Sequence, residues 1–147
     1  RPPRSGEIDG QDYFFVSRET FTDMIALEQF LEWAEYAGNY YGTPRAPVEK
    51  SLSEGQSIIL EIEVQGARQI KTTFPEALRV FILPPSLGEL ERRLTDRAKD
   101  TEDVIERRLQ KAQEELAVSG EFDYQIVNND LESALAAIAT AIFEPDR

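Results

Sequence analysis

The sequence predicts an α/β protein: a parallel sheet with right-handed crossovers, joined to a small, mostly antiparallel lobe. Two observations carry this. Residues 30–36 alternate, with Phe30, Glu32, Ala34 and Tyr36 set against Leu31, Trp33 and Glu35, and a Gly38-Asn39 turn leads into Tyr40-Tyr41. From residue 57 the pattern changes. Short continuous apolar runs alternate with segments of helical spacing, which is how strands buried on both faces read.

Taken in order, residues 12–16 are aromatic and β-branched enough to open the lobe as a strand. Ser17 suits the N-cap of a helix to about residue 26, with Phe21, Ile25 and Met24 inward. The 30–36 strand places Glu32 on one face with Phe30 and Ala34. Gly42-Thr43-Pro44 closes the return strand. Pro47 fits the first turn of a second helix, and Gly55 fits its C-terminal cap. Beyond it, residues 57–62 and 78–83 read as buried strands around a helix over 65–72. Ser86 with Glu89 forms a capping-box pattern before a helix whose Leu87, Leu90 and Leu94 share a face. Residues 101–118 form a long helix, 124–127 a third short strand and 131–143 a last helix. The lobe therefore spans 1–54 and the core 55–147.

The totals narrow the function. The 147 residues are 41% hydrophobic and 30% charged, which suits a globular domain. No apolar run reaches the roughly 20 residues needed to span a bilayer, no signal-peptide pattern opens the chain, and the lack of cysteine is compatible with a cytosolic location. There is no cysteine and no histidine. Thiolate or imidazole nucleophiles, and metal sites built on them, are excluded. The net charge of −12 opposes nucleic-acid binding. Against that background, Arg92, Arg93, Arg97, Lys99, Arg107, Arg108 and Lys111 are clustered, which suggests a specific anionic ligand.

Four constellations could carry chemistry. Arg1 and Arg4, on a Pro-stiffened segment before Tyr13, look like a phosphate seat, because guanidinium forks match phosphate oxygens. Glu32 with Tyr41 and Thr43 suits guanine: a carboxylate accepts from the ring N–H and exocyclic amine, and a hydroxyl donates to the carbonyl. Glu61 and Glu63 end a strand, where ligands bind in α/β sheets, and suit a hydrated Mg²⁺ or a ribose hydroxyl. Arg97 and Arg108 flank the charged loop 98–102 and could close over transferring phosphates. The plainer reading of the remaining arginines is surface pairing with acids at helical spacing.

The joint order of Arg1-x-Pro-Arg4-x-Gly-Glu, Asp12-Tyr13, Phe30-Leu-Glu32-Trp, Gly38-Asn-Tyr-Tyr41-Gly-Thr43, Glu61-Ile-Glu63-Val-Gln-Gly66, Arg93-Leu-x-x-Arg97, Arg107-Arg108 and Val127-Asn128 resembles guanylate kinase over nearly the whole chain. The resemblance implies the three-layer, parallel-sheet core of the P-loop kinases, a GMP-binding lobe, and a helical lid at about 92–112. It implies phosphoryl transfer from ATP to GMP, giving ADP and GDP, with Mg²⁺ carried by ATP and no direct protein ligand to the metal. Arg1, Arg4, Tyr13 and Tyr41 would hold the GMP phosphate, and Glu32 and Thr43 would read guanine. Glu61 and Glu63 would lie near GMP, Arg97 and Arg108 would contact the transferring phosphates, and Asn128 would lie near adenine. A monomer or homodimer in the cytoplasm is implied.

Two departures stand out. Glu63 occupies a position where the family usually has aspartate. None of the eight glycines belongs to a Gly-rich loop ending Gly-Lys-Ser/Thr, the family's ATP cradle. The expectation is that these residues are the C-terminal part of such a kinase. Taken alone they would fold weakly, exchange strands, and transfer little phosphate. The rival reading is a non-catalytic module of the same family that binds a phosphorylated protein partner. Retention of the arginines favours the enzyme, and the Glu32/Thr43 pair disfavours a kinase for another nucleoside monophosphate.

Overall fold

In the computed structural model, residues 1–36, 38–96 and 102–143 are described. Residues 37, 97–101 and 144–147, Arg97 of the expected lid among them, lie outside the described residues. The chain divides into two compact units, Arg1–Ala77 and Leu78–Arg147.

Unit 1 is built on local signals that the sequence states strongly. Helix α1 (Arg18–Ala26) starts where the Ser17 hydroxyl accepts the Thr20 N–H at 3.0 Å. It ends in a reversal in which Gln29 N–H reaches Met24 C=O and Glu28 N–H reaches Ile25 C=O. Glu28 takes the left-handed conformation there, φ 53°, where a glycine would be less strained. Strands β1 (Phe30–Tyr36) and β2 (Asn39–Pro44) then form the antiparallel hairpin. Helix α2 (Arg45–Ser53) follows without a break, with Pro47 in its first turn, and Gly55 just beyond it has φ +77°. Helix α3 (Val64–Thr73) buries Gly66, Ala67 and Ile70 and packs on β1.

One strand face differs from the simple alternation. Trp33 lies opposite Gly42 and Glu32 opposite Thr43, but the register shifts between Phe30 and Glu32. That bulge turns Phe30 over. Its ring lies against Gly42, so close that a Cβ on residue 42 would meet it at 2.8 Å, and it stacks on Phe21 of α1 at 4.4 Å. Phe30 thus leaves the Glu32 face, and both Phe30 and Leu31 are buried.

Two expected strands do not form. Residues 12–16 make only an isolated bridge, Asp9 to Tyr13. Short acidic side chains satisfy the backbone instead: Phe15 N–H donates to Asp9 and Ile8 N–H to Asp12, each at 2.8 Å. Residues 56–63 are also irregular, and Ile59 is 80% exposed. An apolar run becomes a buried strand only where another strand takes its N–H and C=O groups, and no described strand does so here.

In unit 2, β3 (Val80–Leu83) pairs in parallel with β4 (Tyr124–Val127). Between them run α4 (Leu87–Asp96), α5 (Glu102–Ala117) and a 3₁₀ turn at Ser119–Glu121; α6 (Leu131–Phe143) follows β4. Ile126 is buried against Ala134 and Ala141 of α6. Arg79 grips Asp123 through Nε at 3.1 Å and Nη2 at 2.7 Å, clamping the entrances of the two strands together. Only half of the capping box forms. The Ser86 hydroxyl accepts the Glu89 N–H, but the Glu89 carboxylate turns to Arg92 and Arg93, because two guanidiniums outcompete one peptide N–H. Among the described residues, no helix is long and apolar enough to cross a membrane.

Candidate nucleotide site

The residues singled out in unit 1 fall into two adjoining clusters, joined by β2. Tyr41 and Thr43 are two apart on that strand and so share a face. Tyr41 lies opposite Ala34, and Thr43 opposite Glu32.

The first cluster surrounds Arg1. Its guanidinium makes a bidentate pair with Glu7, both contacts at 2.7 Å, and only 13% of its side chain is exposed. It lies 5.2 Å from the centre of the Tyr13 ring and 5.9 Å from that of Phe15, and it shares a hydrogen bond with Tyr41. The Tyr13 and Tyr41 rings meet edge-on at 6.4 Å. Tyr13 is held there by the loop below it: Gly10 N–H donates to Tyr13 C=O at 2.8 Å, and Gly10 takes φ +77°. Arg4 is exposed, and its placement comes from the backbone. Its N–H donates to Glu7 at 2.6 Å, and its C=O accepts the Glu7 N–H, closing a turn with Gly6 at φ +92°. Glu7 therefore organises both arginines, a role the sequence reading did not give it. Its only local signal is its position three residues after Arg4, across Ser5-Gly6.

The Arg1 guanidinium, then the Arg4 N–H, hold the Glu7 carboxyl at about 2, below the ordinary 4.5. With a lowered native value, the stabilisation is present above about pH 4.5 and is lost as pH falls towards about 2. Urea midpoints of the parent and Glu7→Gln should differ at pH 6, and the gap should close on acidification. A constant gap would remove the charge of Glu7 from the account.

The second cluster is Glu32 and Thr43. Glu32 is only 6% exposed, and the Thr43 hydroxyl donates to its Oε1 at 2.6 Å. Burial raises the Glu32 carboxyl above the ordinary value, and the nearby charge of Glu63 adds to this; the Thr43 bonds oppose it. Glu63 is the N-cap residue of α3, near enough for its charge to act on Glu32, while Glu61 is exposed on the irregular segment. A buried carboxylate has lone pairs left to accept from a ligand, and the Arg1 guanidinium, framed by two phenols, already holds the Glu7 carboxylate.

In unit 2, Arg108 lies in the second turn of α5, half-buried. Asn128 follows β4; its N–H donates to Leu83 C=O at 2.8 Å, and its C=O accepts from Arg93 at 3.1 Å. Arg92 pairs with Glu89 and Asp96, and Lys111 with Glu115, as helical spacing suggests. Arg97 lies outside the described residues. Among the described residues, no group of three or more acidic side chains could hold a metal ion.

The comparisons agree on one family. The guanylate kinase family model matches residues 1–145. The chain is 57% identical to a guanylate kinase of Thermosynechococcus vestitus over 145 residues, which is 99% of this chain and 76% of that protein. It is 56% identical to a guanylate kinase of Synechocystis sp. over 146 residues, with the same coverage. Among solved structures, guanylate kinase from Anaplasma phagocytophilum superposes with a TM-score of 0.80 at 36% identity, covering 97% of this chain and 69% of that one.

Proposed function

The chain belongs to the guanylate kinase family and has that family's function, and on this premise we propose that unit 1 seats GMP through the two clusters described above. Arg1 and Arg4, with the Tyr13 and Tyr41 hydroxyls, hold its phosphate. Glu32 accepts the ring N–H and the exocyclic amine of guanine, and Thr43 fixes the base-reading end. Glu61 and Glu63 lie near the nucleotide. The observation that carries this reading is the buried Glu32 bonded to the half-buried Thr43, on the Tyr41 face of β2. A carboxylate is buried at a cost of several kcal/mol only where something repays it.

The reaction is a direct transfer. An oxygen of the GMP phosphate attacks the γ-phosphorus of ATP, the bond to the bridging oxygen breaks, and ADP departs as GDP forms. Histidine is not needed for this, because the protein's task is alignment and neutralisation of negative charge. Arg1 and Arg4 neutralise and orient the accepting phosphate, while Arg97 and Arg108 meet the transferring phosphates from a lid at about 92–112. Asn128 lies by the adenine. Magnesium enters as part of the ATP substrate. The rest of the reading is a lobe at 1–54 and a three-layer core at 55–147, acting in the cytoplasm as a monomer or homodimer without nucleic acid or membrane.

Calorimetry tests the base and phosphate assignments together. Micromolar GMP binding with little AMP binding is expected. Phosphopeptide binding without GMP binding would replace this reading by that of a non-catalytic module.

A further inference from the structure

Glu32 sits on a two-stranded hairpin, a support that is weak by itself. We propose that α3 is the device that sets Glu32 for the base, through Gly66 and Gln69, so that guanine selectivity is fixed from this helix. The inference rests on Glu32 reading the base.

Gly66 carries the first half of the argument. It lies within α3 and has no positive φ, so its backbone does not require glycine. Glycine is a poor helix residue compared with alanine, so another reason must hold it there. Contact supplies it. A Cβ on residue 66 would fall inside the contact distance of Glu32 Oε2, 3.1 Å from Cδ and 3.4 Å from Cγ. The buried carboxylate lies directly on the bare Cα. Any side chain at 66 must move it, and the Thr43 bond to Oε1 limits where it can go.

Gln69 supplies the second half. Three residues on, along the same helix, its Nε2 donates to Trp33 C=O at 2.7 Å and its Oε1 accepts the Trp33 N–H at 3.1 Å. Both groups belong to Trp33 of β1, the residue next to Glu32. One amide side chain thus takes the place of a neighbouring strand. Oε1 is fixed by β2, Oε2 rests on α3, and the strand between them is bonded to α3.

The test compares binding of GMP and of inosine monophosphate, which lacks the exocyclic amine that a well-placed Glu32 would accept. The parent should prefer GMP by about 10-fold or more. Gly66→Ala, which improves helix propensity, should lose at least 10-fold in GMP affinity while the preference falls towards one. Gln69→Ala should lower the preference in the same direction with the glycine intact. A purely structural role would weaken both nucleotides equally and leave the ratio unchanged. Both variants retaining the parental ratio overturns this inference alone. A parent without preference overturns the base-reading assignment, and this inference with it.

Discussion

Glu32→Gln should weaken GMP binding by about 100-fold or more while leaving the chain folded. The amide replaces one acceptor oxygen with a donor, which then faces a donor of guanine. Hydrogen bonds to a charged partner are worth about 1.5–3 kcal/mol each, so losing one and opposing another costs about 3 kcal/mol, or roughly 100-fold. A second signature follows from the raised carboxyl of the parent. GMP affinity should fall on acidification through a value above the ordinary 4.5, because the protonated acid no longer offers two acceptors. In the glutamine variant that acid limb should vanish. Stability without ligand should move the other way. The native state holds this proton where the unfolded chain does not, so ionising Glu32 costs stability as pH rises through the raised value. Calorimetry at several pH values checks the first expectation, and urea titration the second. Equal GMP affinities for parent and variant near neutrality would remove Glu32 from the base site.

Phe21→Ala should cost about 3–5 kcal/mol, the range for truncating a buried aromatic ring. Phe21 is buried, stacks on Phe30 at 4.4 Å and lies 5.5 Å from the Tyr40 ring. It holds α1 against the face of the hairpin that the bulge created, where a methyl at Gly42 would not fit beside Phe30. The urea midpoint should fall with little change in slope. If Phe21→Leu recovers most of the loss, filling volume matters more than ring stacking; a midpoint unchanged in Phe21→Ala would show that α1 does not contribute to the cooperative unit.

What was legible in the sequence was what adjacent residues decide. Ser17 caps α1, Phe30–Tyr36 alternates, and Tyr124–Val127 and Leu131–Phe143 carry their own periodicities; each forms with the expected bounds. What was not legible depends on distant partners. The apolar run at 57–62 needed a ladder neighbour, and in the 12–16 segment Phe15 N–H went to the Asp9 carboxylate, while the Asp12 side chain took Ile8 N–H. The bulge at Phe30 is a register choice made with β2, so alternation alone put Phe30 on the wrong face. The site divides in the same way. Arg1, Tyr13, Tyr41, Glu32 and Thr43 could be named from residue type and order, and the fold brings them into two clusters. Glu7, Gly66 and Gln69 could not, since each is defined by what it touches across the fold.

The Arg1–Glu7 pair has a consequence for the cost of capture. A mobile arginine gives up rotamer freedom when it closes on a ligand, a loss of about 0.5–1.5 kcal/mol per side chain. Arg1 has already given it up, between Glu7, the two phenols and the Phe15 ring. The ordering is charged to folding rather than to each encounter. On the proposed reading, an incoming phosphate meets an Arg1 whose orientation Glu7 has already set, and differences among ligands should show mainly in how long they stay rather than in how fast they arrive.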